Sequence, residues 1–140
     1  MKLSSKGRYA VMALADLAKF DPNEPVSLRD ISLRQGISLV YLEQLFLKLK
    51  KNKIVNSVRG NKGGYTLNKK ASEINISEVF LAVDEKIKTV GCEKHSKKGC
   101  NGKSSKCITH NLWDELEYYI NIFFEKKKLS DLINTKDSRI

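Results

Sequence analysis

Long apolar runs are missing from this sequence. No stretch approaches the roughly 18 apolar residues that a membrane span needs. The opening Met1-Lys2-Leu3-Ser4-Ser5 lacks the apolar core of an export signal, so a cytoplasmic protein with no membrane partner is expected. Cysteine is scarce and odd in number, with three residues that all fall between 92 and 107. An odd count without an export signal argues against a disulfide framework and for a ligand or redox role. Closely spaced pairs of the Cys-x2–4-Cys kind, the usual mark of structural zinc, do not occur. There is also no nucleophile–base pair and no phosphate loop, so catalysis is not expected. Both prolines sit in Asp21-Pro22-Asn23-Glu24-Pro25, where they break a helix. Internal repeats are lacking too.

What is present is apolar enough to fold. The 140 residues are 41% apolar, which suits one domain, or a small domain with an appended arm, and excludes a disordered basic tail. The net charge is +10, and it is unevenly placed. Residues 1–70 hold 14 Lys and Arg against 5 acids, whereas residues 71–140 hold 12 against 11. A basic front half joined to a near-neutral back half suggests a polyanion-binding module followed by something else. A solvated basic surface is the plainer alternative.

Local signals give the order of elements. Ser4 or Ser5 can cap a first helix that runs to about Phe20, with Val11, Leu14, Ala15 and Ala18 at helical spacing. Ser27 caps a second helix carrying Leu28 and Ile31, which stops at Gln35-Gly36, and Ser38 opens a third to about Lys51. Helix, glycine turn and capped helix make a helix-turn-helix. Two β-rich runs, Ile54–Arg59 and Tyr65–Leu67, then flank Gly60-Asn61-Lys62-Gly63-Gly64 and read as a hairpin, the wing. A fourth helix is expected over about Ser77–Val83. Residues 88–107 lose all periodicity, which in a compact domain marks a functional or disordered loop. A long helix over about Thr109–Lys127 carries Leu112, Leu116, Ile120 and Phe123, with Trp113 and Phe124 alongside. That stripe is too wide for one neighbour and suggests a partner subunit. A short helix over Ser130–Ile133 follows.

On the third helix Leu42, Leu45 and Leu49 should face the core. The other side presents Ser38, Tyr41, Glu43, Gln44, Lys48 and Lys51, the groups a major-groove helix needs. Glutamine pairs with adenine, glutamate accepts from cytosine, and lysine neutralises phosphate. An ordinary solvated helix face would look similar in isolation, and the wing that follows favours the reading helix. Val40 and Leu47 fit neither face; Val40 could meet a thymine methyl, though such residues more often pack on a neighbour. In the wing, Arg59 can enter an A·T-rich minor groove, with Lys62 at the tip.

The cysteines read Cys92-x7-Cys100-x6-Cys107-x2-His110. Three widely spaced thiolates can wrap an iron–sulfur cluster, and Cys107 and His110, three apart at the start of a helix, can turn to one point. Spacing alone leaves zinc, a cluster and a mobile loop with incidental thiols all open. His95, in the same loop, is a weaker ligand candidate.

Several motifs carry a resemblance. They are Leu3-Ser4-Ser5-Lys6-Gly7-Arg8-Tyr9-Ala10-Val11, Gln35-Gly36-Ile37-Ser38, Tyr41-Leu42-Glu43-Gln44-Leu45-Phe46, Ser57-Val58-Arg59-Gly60 with Gly63-Gly64-Tyr65, Ala82-Val83-Asp84-Glu85, and Cys107-Ile108-Thr109-His110-Asn111-Leu112-Trp113. Together, to about Leu132, the chain resembles the IscR family of iron–sulfur cluster-binding winged-helix regulators. The resemblance implies a homodimer with one [2Fe–2S] cluster per subunit on Cys92, Cys100, Cys107 and His110. It further implies control, by repression and activation, of iron–sulfur assembly genes, with the assembly machinery as cluster donor and double-stranded operator DNA as partner. The gaps between cysteines are longer than the family leads one to expect. The expected fold is mainly α with a small β-hairpin: a winged helix-turn-helix domain over 1–87, a cluster-binding loop over 88–108, and a long dimerisation helix with the C-terminal segment over 109–140. The rivals are a nitric oxide or redox sensor of the same architecture and a small electron-transfer protein. The latter would leave the basic helix-turn-helix without a purpose.

Overall fold

The computed structural model describes residues 3–87 and 108–133. Helix α1 (Ser5–Ala18) is capped by Ser4, whose hydroxyl accepts from the Lys6 amide, and buries Ala10, Ala13, Leu14 and Leu17. This three- and four-residue spacing puts one apolar stripe at the centre of the molecule. Helix α2 (Leu28–Gln35) starts at Ser27, which accepts from the Asp30 amide at 3.1 Å. Its end is fixed by Gly36, whose φ of 67° lies in the left-handed region that glycine enters without strain. Helix α3 (Leu39–Lys51) follows two residues later, with Ser38 as cap, and turns Leu42, Leu45, Phe46 and Leu49 inward.

Strands β1 (Val55–Val58) and β2 (Gly64–Leu67) form an antiparallel hairpin with Val55 opposite Leu67 and Val58 opposite Gly64. A lone two-stranded hairpin is marginal in water. Here Val26 pairs with Tyr65 through two backbone hydrogen bonds of 3.0 and 2.9 Å, and the Tyr65 ring meets Phe46 edge-on at 4.9 Å. The wing is thereby fastened to α3.

A 3-10 turn (Ala71–Glu73) leads to α4 (Ile76–Ala82). This helix begins a residue before the expected start because Asn75 and Glu78 form a reciprocal capping box. Helix α5 (His110–Lys126) packs on α4, with the Phe80 and Phe124 rings 4.9 Å apart. Helix α6 (Leu129–Ile133) then returns to α1, where Leu129 is fully buried. The main core therefore gathers α1 to α4, the base of the wing and α6 around Leu14, Phe46 and Val79. A smaller cluster of Ile76, Phe80 and Ile87 joins α4 to Ile120 and Phe124 of α5. Among the described residues, no helix is long and apolar enough to cross a membrane.

Candidate functional site

The candidate interface comprises the outer face of α3 and the tip of the wing that follows it directly in the chain. Glu43, Gln44 and Lys51 are exposed on α3, Ser38 stands exposed at its N-terminus, and Lys48 is half-buried. Arg59 and Lys62 are exposed at the wing tip, where the Gly63 amide donates to the Gly60 carbonyl at 3.0 Å and closes the turn. Lys50 and Lys53, which the reading of the sequence left out, add exposed positive charge at the end of α3.

Three residues of the expected set have partners within the protein, the first being Ser38, whose hydroxyl caps α3 by accepting from the Tyr41 amide. The Tyr41 ring is half-buried and packs on the main core; its hydroxyl shares a 2.8 Å hydrogen bond with Ser5, and its ring meets Tyr9 edge-on. Tyr41 thus turns away from Gln44 and braces the start of α3 against α1. Lys48 lies 3.2 Å from Asp84, a pair exposed on both sides and therefore weak. Phosphate can displace such a partner. Glu43 and Gln44 are exposed, and among the described residues no side-chain hydrogen bond holds them back.

The start of α1 is held from the other end of the fold. Glu85 is buried and accepts from the Ser4 hydroxyl at 2.6 Å and the Gly7 amide at 3.0 Å. A carboxylate at a helix N-terminus satisfies otherwise unpaired amides and complements the helix dipole. The approach is so close that a Cβ on Gly7 would stand 2.8 Å from Glu85 and 2.9 Å from Phe80. Glu85 therefore couples the exit of α4 to α1, and α1 braces α3 through Ser5 and Tyr41.

His110, the first residue of α5, is buried although it starts an otherwise open helix, and its Nε2 lies 3.1 Å from an Asp114 carboxylate oxygen. Cys92, Cys100 and Cys107 lie outside the described residues, as does His95. Among the described residues, three or more potential metal ligands do not gather anywhere.

Helix α5 has two apolar sides. Ile120 and Phe124 pack on α4, while Leu112, Leu116, Tyr119 and Phe123 stand 42–59% exposed. Their 4-3-4 spacing is that of a helix seam that meets a second helix. Tyr119 was missed in the sequence because its hydroxyl disguised an apolar position; the spacing alone could have found it.

A helix-turn-helix followed at once by a basic-tipped hairpin defines the winged-helix class of DNA-binding regulators. The comparisons with known proteins agree. The model for Rrf2, described as an iron-dependent transcriptional regulator, matches residues 3–135, and the chain belongs to this family. Over 137 residues it is 50% identical to the HTH-type transcriptional regulator IscR of Serratia proteamaculans, covering 98% of this chain and 82% of that one. The IscR of Photorhabdus laumondii matches to the same extent. Among solved structures, T. potens IscR superposes with a TM-score of 0.76 at 30% identity, over 100% of this chain and 92% of that one. CymR, the global cysteine regulator of B. subtilis, gives 0.79 at 27% identity, over 98% and 99%. The chain is an IscR-type transcriptional regulator, not an enzyme.

Proposed function

We propose that this regulator binds operator DNA as a homodimer and reports iron–sulfur cluster status to the genes of cluster assembly. The observation that carries the DNA part is the exposure of Gln44, Lys50 and Lys51 on α3 together with that of Arg59 and Lys62 on the hairpin that directly follows it. In this reading Ser38, Glu43 and Gln44 face base edges in the major groove, Lys48 and Lys51 neutralise phosphate, and Arg59 with Lys62 follows the minor groove. Tyr41 contributes by holding α3 in place. Two such surfaces across a two-fold axis would read half-sites about one DNA turn apart. The seam Leu112–Leu116–Tyr119–Phe123 is the proposed dimer contact. In this reading α5 carries the dimer contact, while α6 packs on α1.

The donor set suits a [2Fe–2S] cluster: thiolates at Cys92, Cys100 and Cys107, and the imidazole of His110. His110 fits the part as a buried imidazole at the first position of α5, with an Asp114 carboxylate oxygen 3.1 Å from its Nε2. When bound, the cluster would supply a one-electron redox centre and a loss-sensitive tether between 88–108 and α5. The assembly machinery is the proposed source of the cluster.

Anaerobically purified protein should carry iron and sulfide in equal amounts and absorb visible light. Cys92→Ala, Cys100→Ala and Cys107→Ala should each be colourless, iron-free and folded, and His110→Ala should keep at most a labile cluster. Full iron content in Cys107→Ala would remove that ligand assignment.

A further inference from the structure

Two side chains on the reading helix have no part in the scheme above. Val40 and Leu47 are each 64% exposed, while Leu42 and Leu45 of the same helix are buried. At 3.6 residues per turn, seven residues bring Leu47 to within about 20° of Val40, two turns along. Gln44 lies between them, about 40° to one side. This line is the part of α3 turned furthest from the core. Branched apolar side chains left in water there gain nothing from the fold. Lysines 48, 50 and 51 surround the line, and they suit a polyanion better than an apolar protein groove.

We propose that Val40 reads the C5-methyl of a thymine in the major groove, with Leu47 extending the same apolar edge. The inference rests on the DNA-binding role given above and adds a base preference to it. Thymine is the one base that shows a methyl in the major groove, and apolar side chains are what detect it. The N-terminal part of a reading helix reaches the base edges, which makes Val40 the principal contact and Leu47 the lesser one. Gln44 is four residues, about 6 Å of rise, from Val40, so the two fall within about two base steps of 3.4 Å. An adenine for Gln44 and a methyl for Val40 together favour a short A·T-containing element in each half-site.

The test replaces thymine by uracil, which removes only the methyl. An operator is first selected from a random duplex pool with the full-length protein, and each thymine is then exchanged in turn. Wild-type protein should lose about fourfold in affinity at one or more positions per half-site, the value of burying one methyl-sized group. Val40→Ser, an exposed change that leaves the core intact, should bind the thymine and uracil operators equally. Unchanged wild-type affinity at every uracil, or a uracil penalty that persists in Val40→Ser, would overturn the inference while leaving DNA recognition standing. A subunit contact would show itself as weaker dimerisation of Val40→Ser in sedimentation, and that result also overturns it. Failure to select any operator over random duplex would remove the DNA reading itself, and this inference with it.

Discussion

Asp16 is the residue whose burial most needs a partner. It is 3% exposed, and it receives two hydrogen bonds from Arg34 Nε, one from Arg34 Nη2 at 2.7 Å and one from Gln35 at 2.8 Å. Burial pushes its carboxyl pKa up, but the hydrogen bonds from Arg34 and Gln35, with the charges of Arg34 and Lys19, more than offset this and hold it below the ordinary value. Arg34 stays near solvent and lies over the Phe20 ring. This network ties α1 to the end of α2 just before the Gly36 turn, and so fixes where the reading helix begins. Arg34→Met leaves the carboxylate buried without its main partner and should cost about 2–4 kcal/mol at neutral pH. The sign of the pH dependence follows from the lowered pKa. The stabilisation is present above the unfolded carboxyl value of about 3.9 and is lost as pH falls through the folded value. The gap between wild type and Arg34→Met should therefore narrow on acidification. Urea unfolding at fixed protein concentration, near neutral pH and below pH 4, checks both the size and the trend.

At the level of elements, α3 and α5 each present one face to the fold and another outward. Gln44→Ala should weaken a specific operator by about 1–3 kcal/mol and leave random DNA unaffected. Lys48→Ala should instead weaken all sequences alike and reduce the salt slope by about one unit. Equal loss on specific and random DNA for Gln44→Ala would place it with the phosphate contacts. On α5, Leu116→Asp puts a charge in the middle of the exposed seam and should give a folded monomer by sedimentation, with half-site binding weakened accordingly. A dimer of unchanged strength would move the interface elsewhere. Much of this was legible in the sequence. Caps at Ser4, Ser27 and Ser38, the Gly36 turn and the leucine spacing of α3 are local signals, and each helix came out within two residues of its expected bounds. What stayed hidden depends on distant partners. Nothing near Tyr41 announces the Ser5 hydroxyl 36 positions away, and nothing near Glu85 announces the amide of Gly7. A tyrosine on a polar helix face looks solvent-bound until α1 is laid against it.

Across the whole molecule, two routes connect the ends of the cysteine segment to the reading surface in the proposed reading. One runs from Cys107 into α5 through His110, and α5 carries the proposed dimer seam. The other runs from Glu85, on the near side of the same segment, to the start of α1 and on through Ser5 and Tyr41 to α3. In the proposed reading, binding or loss of the cluster would alter the spacing or tilt of two reading helices, and operators would differ in how much of that they tolerate. Couplings of this kind are typically worth about 1–3 kcal/mol, or roughly 5–150-fold in affinity. The central claim is that cluster state selects among operators instead of switching binding on and off. The most direct test titrates cluster-loaded protein and the Cys92→Ala variant against a panel of genomic operators at a single salt concentration. The account predicts that one class of operator is weakened strongly by loss of the cluster while another keeps nearly full affinity; equal affinities of the two proteins for every operator would contradict it.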